Sequence, residues 1–299
     1  MPITEEEYFM FERETYPVVT IYDAEDAEEA VRVLKGTDKM AISLESLSLL
    51  SEFPHLKRLV LLPGMTTERG LQTLYTLHGL ELLDTDYVET EKRATDRIDV
   101  SRFPALQALS ARSSWNFCGI SGCNSLRTLK VLEWHEKDLM ELRTLKKLDS
   151  VSISLGSLRS LAGLEGTQIR CLELSYLRSL HDISVLSDCK YLKALRIECC
   201  PKIADLADVL RQLNGLMMLA VTGNREIFEN LDFIDGMKDL RFFVTDFNIL
   251  DGKIERLKKL PYASVLQDRR HYDVKDKDLS RNSNKLHGTE DIPKWRRIM

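Results

Sequence analysis

Two stretches decide the fold, and both follow the same apolar pattern: residues 192–203, LKALRIECCPKI, and residues 216–227, LMMLAVTGNREI. Each carries apolar residues at positions 1, 4, 6 and 12, with a cysteine or an asparagine at position 9. The two apolar residues at positions 4 and 6 are two apart, so on a short strand they point to one face. The pattern therefore predicts a strand with one buried face, followed by a turn.

The same Leu-x-x-Leu-x-Leu pattern recurs along most of the chain. Successive starts lie about 20 to 24 residues apart, except for one gap of about 29 after Leu77. Another apolar residue sits three positions before most of the starts, as Phe53 does before Leu56. The matches are Leu56-Leu59-Leu61, Leu77-Leu80-Leu82, Leu106-Leu109-Ala111, Leu126-Leu129-Val131, Leu148-Val151-Ile153, Ile169-Leu172-Leu174, Leu192-Leu195-Ile197, Leu216-Leu219-Val221 and Leu240-Phe243-Thr245.

From Leu47 to about Leu266 the sequence resembles the leucine-rich-repeat family, whose units are about 20–29 residues long. The intracellular type, with units of about 22 residues, is the most similar. The resemblance implies an α/β solenoid, with a parallel sheet on a concave face and helices or turns on the convex face. Cys200 and Asn224 fall where these repeats carry a side chain that hydrogen-bonds the turning backbone.

The ends depart from the repeat, as expected for a solenoid that must shield its terminal core. We predict an N-terminal cap at residues 1–46, a repeat domain at 47–267 and a charged tail at 268–299. The cap is predicted to contain a strand over 16–22, a helix from Asp23 to Gly36 and a strand over 40–44. A C-terminal cap is expected at 254–266, and Tyr272, Ile292 and Trp295 are candidates to hold a partly ordered tail on it.

The composition of the chain argues against several classes of function. The 299 residues carry 42 Lys+Arg and 47 Asp+Glu, a net charge of −5, which argues against a dedicated nucleic-acid binder. The apolar runs are too short to cross a membrane. The N-terminus lacks the basic and apolar regions of a signal peptide, so we expect a cytoplasmic protein.

Chemical motifs are absent from the sequence. We find no phosphate-binding glycine loop, nucleophile elbow or zinc-protease spacing. Cys118 and Cys123 lack a second pair that would complete a metal site, and the six cysteines are expected to be reduced, structural thiols. We therefore predict no catalytic residues, no metal and no cofactor.

The strand positions that flank the core residues are predicted to face outward on the concave side. They contain apolar patches near both ends of the series and a polar centre, a composition typical of protein interfaces. The predicted contact residues are Arg58, Val60, Leu62, Glu81, Leu83, Arg112, Lys130, Leu132, Glu173, Arg196, Glu198, Met218, Phe242, Val244 and Asp246. Cover by the protein's own caps or tail is the competing interpretation of the apolar patches.

The favoured function is a non-enzymatic scaffold that holds a protein partner on this face. Proteins that resemble it act as adaptors, inhibitors or candidate toxin-immunity proteins. One alternative is an effector or enzyme with an atypical site on the tail or on an insertion at residues 84–99. That insertion is expected to be either a solvated loop or a partner-contacting one. A second alternative is a receptor for a small molecule or carbohydrate.

Overall fold

The computed structural model divides the chain into two compact units. Unit 1 comprises Met1–His135 with Thr144–Leu148, and unit 2 comprises Glu136–Arg143 with Asp149–Met299. The predicted boundaries after residues 46 and 267 stay predictions. The residues that the structure describes are 4–10, 14–21, 36–64, 68–86, 88, 97–204, 206–223 and 227–281.

Unit 1 is built on a mostly parallel sheet. Its spatial order is β1-β2-β3-β4-β5-β7-β9, and every neighbouring pair is parallel except the antiparallel hairpin of β1 and β2. Strands β6 and β8 form a separate parallel pair. In chain order the strands are β1 (Thr4–Met10), β2 (Glu14–Ile21), β3 (Lys39–Ser43), β4 (Arg58–Leu62), β5 (Leu82–Thr85), β6 (Ile98–Asp99), β7 (Ala108–Ser113), β8 (Phe117–Cys118) and β9 (Thr128–Glu133).

Unit 2 repeats this architecture with a wholly parallel sheet. Its order is β10-β11-β12-β13-β15-β17, and β14 pairs with β16 in a small second sheet. The strands are β10 (Ser150–Ser154), β11 (Cys171–Ser175), β12 (Ala194–Glu198), β13 (Met218–Thr222), β14 (Ile227–Phe228), β15 (Phe242–Thr245), β16 (Asn248–Ile249) and β17 (Tyr262–Ser264).

Short helices connect the strands. The α-helices in the described residues are α1 (Glu68–Leu74), α2 (Leu206–Leu210) and α3 (Phe233–Gly236). Most connections instead use 3-10 turns, which advance about 2 Å per residue against 1.5 Å in an α-helix and so span a repeat with fewer residues. The 3-10 helices are Leu44–Glu52, Val100–Arg102, Ser114–Asn116, Ile120–Gly122, Met140–Leu142, Ser184–Asp188, Glu255–Lys259 and Asp276–Asp278. None of the helices in the described ranges is long and apolar enough to cross a bilayer.

The apolar columns form the core, as predicted. In eight of the nine predicted motifs all three pattern residues are at most 5% exposed. The column that precedes them is buried too, and the Cys123 thiol in it donates to the carbonyl of Val100 at 3.2 Å. Cys200 lies buried in the turn column with its thiol 3.4 Å from the Glu198 carbonyl, as the resemblance implied, whereas Asn224 lies outside the described residues.

The register predicted for the second repeat is wrong. Leu83, not Leu82, aligns with the core residues Leu59 and Leu109 of the neighbouring strands. Leu80 and Leu83 are fully buried, and Thr85 is 2% exposed. The motif is therefore Leu80-x-x-Leu83-x-Thr85, which replaces the anomalous gap of 29 residues by spacings of 24 and 26.

The wrong register arose from a local ambiguity. Leu74, Leu77, Leu80 and Leu83 are each three residues apart, so a shift of three positions preserves most of the apolar pattern. The corrected register also moves Asp84 and Thr85 out of the predicted insertion and into β5. Residues 87 and 89–96 of that insertion lie outside the described part.

The end segments are partly described. The predicted strands at residues 16–22 and 40–44 correspond to β2 and β3, and residues 23–35 of the predicted helix lie outside the described ranges. Tyr272 is buried, accepting from the Ile249 amide at 3.1 Å and donating to the Phe247 carbonyl at 3.3 Å. It holds the start of the tail against the last repeats, whereas Ile292 and Trp295 are not described.

Candidate functional site

The candidate site is the outer face of the sheet, by which we mean the side of the strands opposite the core. Side chains alternate along each strand, and the parallel register aligns them from strand to strand in columns. In unit 2 the first column is Cys171, Ala194, Met218 and Phe242; the second is Glu173, Arg196, Ala220 and Val244; the third is Ser175, Glu198 and Thr222. Asp246 directly follows β15.

Much of the outer face of unit 2 is apolar and buried. We call this group the outer apolar cluster; it contains Cys171, Ala194, Met218, Ala220, Phe242 and Val244, all at most 5% exposed. The Phe242 ring stacks on Tyr262 with centroids 4.7 Å apart. The expectation that Met218, Phe242 and Val244 form an exposed patch is therefore wrong, because these side chains pack within a cluster that is shielded from solvent.

The predicted apolar patch of unit 1 is buried in the same way. Val60 and Leu62 are at most 3% exposed and pack with Ala41 and the partly buried Leu82. Leu83 points into the core because of the register shift. Exposure was therefore wrongly expected for Val60, Leu62 and Leu83, whereas Leu132 at the end of β9 is 36% exposed, as expected.

Polar side chains form a connected group on the outer face of unit 1. Asp86 accepts a hydrogen bond from the Ser110 hydroxyl at 2.7 Å and forms an ion pair with the Lys130 ammonium group. The Asp86 amide in turn donates to the Asp84 carboxylate at 2.9 Å. Lys130 keeps 45% of its side chain exposed, so its charge is held in place but reachable.

A second polar group lies on the outer face of unit 2. The Ser152 hydroxyl donates to Glu173 at 3.1 Å, and the Arg196 guanidinium pairs with Glu198 at 2.5 Å. The Tyr176 hydroxyl donates to the other Glu198 oxygen at 3.1 Å, and this hydrogen bond raises the pKa of Tyr176. Side-chain exposures of 30% for Arg196 and 21% for Glu198 leave both charges accessible.

The remaining predicted contact residues are distributed around these groups. Arg58 and Arg112 are half-buried on β4 and β7. Glu81 precedes β5 and pairs with Lys57 at 3.1 Å, because the corrected register takes it out of the strand. One Asp246 oxygen accepts from the Gly223 amide at 2.9 Å, and the other is buried with no hydrogen-bond partner among the described residues.

Sequence reasoning missed Asp84 and Asp86, the acidic members of the unit 1 group. It assigned both to an insertion, because the motif was placed three residues too early. The anomalous spacing of about 29 residues was the signal that could have revealed the error, since moving the motif to Leu80 makes the spacings regular.

A column of left-handed residues at the end of the unit 2 strands was also missed. Leu155, Tyr176 and Cys199 have φ values of 62°, 57° and 54°, and Gly223 follows at 75°. The amides of the first three donate to the carbonyl that ends the next strand, at 2.7–2.9 Å. A left-handed backbone costs a non-glycine residue roughly 1–2 kcal/mol. Here it leaves Leu155 and Tyr176 40% and 46% exposed, as a rim beside the polar group.

Trp115 and Trp134 follow β7 and β9 and have different environments. Trp134 is 1% exposed and packs in the core. Trp115 is half-buried and stacks on the His135 ring, with centroids 3.6 Å apart and planes inclined by 14°. Trp115 is therefore a candidate interface residue, and Trp134 is not.

The thiols behave as structural groups. No disulfide joins the six cysteines, all of which lie in described ranges. Burial raises the pKa of Cys123 to about 12 and those of Cys189 and Cys200 to about 11, so these thiols are poor nucleophiles at neutral pH. Within the described residues, no group of three His, Cys, Asp or Glu side chains could hold a metal ion.

Solved structures share this repeating parallel architecture. An internalin (InlF) from Listeria monocytogenes aligns with a TM-score of 0.62 at 18% identity, covering 83% of this chain and 78% of that one. The chain has a leucine-rich-repeat fold. TLR13, solved in a complex with ssRNA13, aligns with a TM-score of 0.55 at 17% identity. The alignment covers 86% of this chain and 40% of TLR13.

Comparisons at the level of sequence find no match. No protein-family model matches this chain, and no curated protein matches it. At identities below 20% the structural matches establish the fold only.

Proposed function

We propose that this protein is a non-enzymatic scaffold that binds a protein partner through the polar groups on its outer face. The observation that carries the proposal is the arrangement around Arg196 and Glu198. Their charges are accessible, are held two residues apart on β12, and lie beside the exposed Tyr176. Half-exposed ion pairs add about 0–1 kcal/mol to folding, so stability alone is a weak reason to build this arrangement.

Preorganisation supports binding. Side chains that are already fixed by hydrogen bonds lose less conformational entropy when a partner docks. The polar group contains an arginine and the rim a tyrosine, two residue types that contribute strongly to protein interfaces, and Leu155 adds an exposed aliphatic side chain. Arg196, Glu173 and Glu198 would set the orientation of the partner, and Tyr176 and Leu155 would supply apolar contact.

Unit 1 offers a separate contact group of the same kind. Lys130 and Asp86 provide paired charges, Arg112 adds a further cation, and Leu132 is an exposed aliphatic residue. We assign partner contact to these residues and to Arg58, Glu81 and Asp246. Of the six buried apolar residues among the sequence-predicted contacts, Leu83 packs in the core and the other five stabilise the face by packing.

The finer role is inferred from resemblance to the family. Adaptor, inhibitor and toxin-immunity roles all use a preformed binding face, and each is compatible with a cytoplasmic protein. All three roles require a protein partner that binds stably and in a fixed stoichiometry. One binding experiment therefore tests all three.

The test is affinity capture with matched charge reversals. Tagged wild-type protein, Arg196→Glu and Lys130→Glu would be compared with Lys190→Glu, an exposed lysine between β11 and β12. A partner recovered by the wild type should bind at least ~10-fold more weakly to Arg196→Glu when measured by calorimetry, because reversal creates unpaired like charges in the interface. Lys190→Glu should bind normally.

The opposite pattern would refute the assignment. If a purified partner binds the wild type, Arg196→Glu and Lys130→Glu with equal affinity, the outer polar groups are not its binding site.

A further inference from the structure

We propose that Arg241 and Lys193 bind an oxyanion, either a carboxylate or a phosphate group, that a partner protein places over Met217. The site lies at the edge of the unit 2 sheet where the strands begin. It uses none of the polar groups of the outer face, so it does not depend on the function proposed for them.

The residues that directly precede the strands of unit 2 form a row along this edge. Each backbone amide in the row donates to the carbonyl of the residue before it in the row, at 2.8–2.9 Å. In order, the row contains Asp149, Arg170, Lys193, Met217 and Arg241. Neighbouring strands are about 4.8 Å apart, so the backbones of Lys193 and Arg241 lie roughly 10 Å apart with Met217 between them.

Arg241 has no counterion among the described residues. Its side chain is half-buried, its Nε is shielded from solvent without a hydrogen-bond partner, and no ion pair in the described part includes it. Its neighbours along the row are Met217 and Pro261, which have no acceptor side chain. A guanidinium group offers five donors and no acceptor. An anion would therefore stabilise this partly desolvated cation.

Arg170 shows the pairing that Arg241 lacks. Its guanidinium donates to both oxygens of the Asp149 carboxylate, at 2.5 Å and 2.9 Å. Such two-pronged contacts are the preferred way in which arginine binds carboxylates and phosphates. Asp149 precedes Arg170 in the row, and Met217 occupies the equivalent place before Arg241. One repeat thus supplies the oxyanion for its arginine, and the other leaves that place to a second molecule.

Lys193 leans toward the repeat of Arg241. Its ammonium group donates to the Gly215 carbonyl at 3.1 Å and lies 4.0 Å from the Asp239 carboxylate, two residues before Arg241. The second distance is too long for a hydrogen bond, and Asp239 is 60% exposed, so solvent weakens this attraction. Two ammonium donors remain for a ligand. Both cationic side chains start about 5 Å from Met217 and can reach an oxyanion placed over it.

The apolar residue between the two cations favours an oxyanion that is carried by a protein. Met217 is partly buried and packs against the outer apolar cluster. Its flexible thioether can adapt to the aliphatic part of a bound side chain, a contact that a free inorganic ion does not make. Arginine and methionine are also enriched at protein interfaces.

Arginine side-chain NMR of the full chain tests the proposal. The probes are blocked glycine–serine octapeptides that carry one glutamate, one phosphoserine or one glutamine at the same position. The Arg241 Nε–H signal, assigned by its loss in Arg241→Gln, should shift saturably with the glutamate or the phosphoserine peptide and not with the glutamine peptide. The peptide that shifts it at the lower concentration identifies the oxyanion.

Matched variants locate the site. Arg241→Gln and Lys193→Gln should each weaken binding by at least ~5-fold, followed on the NMR signals of the peptide itself, because each removes one cation. Lys277→Gln should bind as the wild type does. Lys277 is exposed and follows Asp276, which bonds Ser264 at the opposite end of β17.

Stability without peptide provides a second test. Arg241→Met keeps an apolar side chain and removes a guanidinium whose buried Nε has no partner, so the urea midpoint should be unchanged or higher. A lower midpoint would indicate a counterion within the protein and would overturn the proposal. It would also be overturned if no peptide shifts the Arg241 signal, or if inorganic phosphate shifts it at the same concentration as the peptides.

Discussion

Arg196 lies directly opposite Glu173 on the neighbouring strand, but its guanidinium pairs with Glu198, two residues further along its own strand. Glu173 instead accepts from Ser152 on the other side. The three charged groups thus form a row with one cation and two carboxylates, in which every group keeps part of its surface accessible.

The Arg196–Glu198 pair should contribute little to stability. Both side chains retain 20–30% exposure, so solvent screens their attraction. We expect Arg196→Ala to lower the free energy of unfolding by less than ~1 kcal/mol in urea titration, with an unchanged m-value. A loss of several kcal/mol would mean that the pair is structural, and would weaken the case for a binding role.

The register of the second repeat can be tested with adjacent leucines. Leu83 is fully buried in the core, and Leu82 is only partly buried on the outer face. Leu83→Ala should lower the unfolding free energy by about 2–5 kcal/mol, because it leaves a cavity, whereas Leu82→Ala should cost about 1 kcal/mol. If chemical denaturation shows a larger loss of unfolding free energy for Leu82→Ala than for Leu83→Ala, the register first predicted from the pattern is the correct one.

Gly163 should tolerate no side chain. It has a φ of 110°, and a β-carbon there would lie 2.0 Å from the carbonyl oxygen of Leu139. We expect Gly163→Ala to cost at least ~2 kcal/mol through backbone strain and displacement of that turn. Gly79→Ala is the matched control, since nothing lies within 4 Å of its β-carbon position. Thermal unfolding of both variants measures the contrast; equal melting temperatures would contradict it.

Alkaline pH should destabilise the protein through Cys123. Burial raises its pKa from 9.0 to about 12, so the folded state holds the thiol proton more tightly than the unfolded state does. The stabilisation is complete below pH 9 and is lost between pH 9 and 12, at up to ~1.4 kcal/mol per pH unit. The unfolding free energy of Cys123→Ala should therefore fall less steeply over this window than that of the wild type. Parallel pH profiles would exclude such a contribution.

Most of the fold was predictable, because the repeat is a local signal. Each strand needs only a residue pair such as Leu195 and Ile197, and regular spacing makes independent occurrences support one another. Lys130, Glu173, Arg196 and Glu198 were correctly placed on the accessible face for the same reason. Asp84 and Asp86 were missed because four leucines at intervals of three residues allow two registers.

The sequence by itself determined the repeated parallel strands, the identity of the core columns and the turn position of Cys200, since side-chain alternation and repeat length are properties of short segments. Only the tertiary structure decided that Leu83 enters the core and that Val60, Met218 and Phe242 are buried. Strand pairing selects between two locally equivalent registers, and the burial of an outward-facing side chain depends on chain that packs against it from elsewhere.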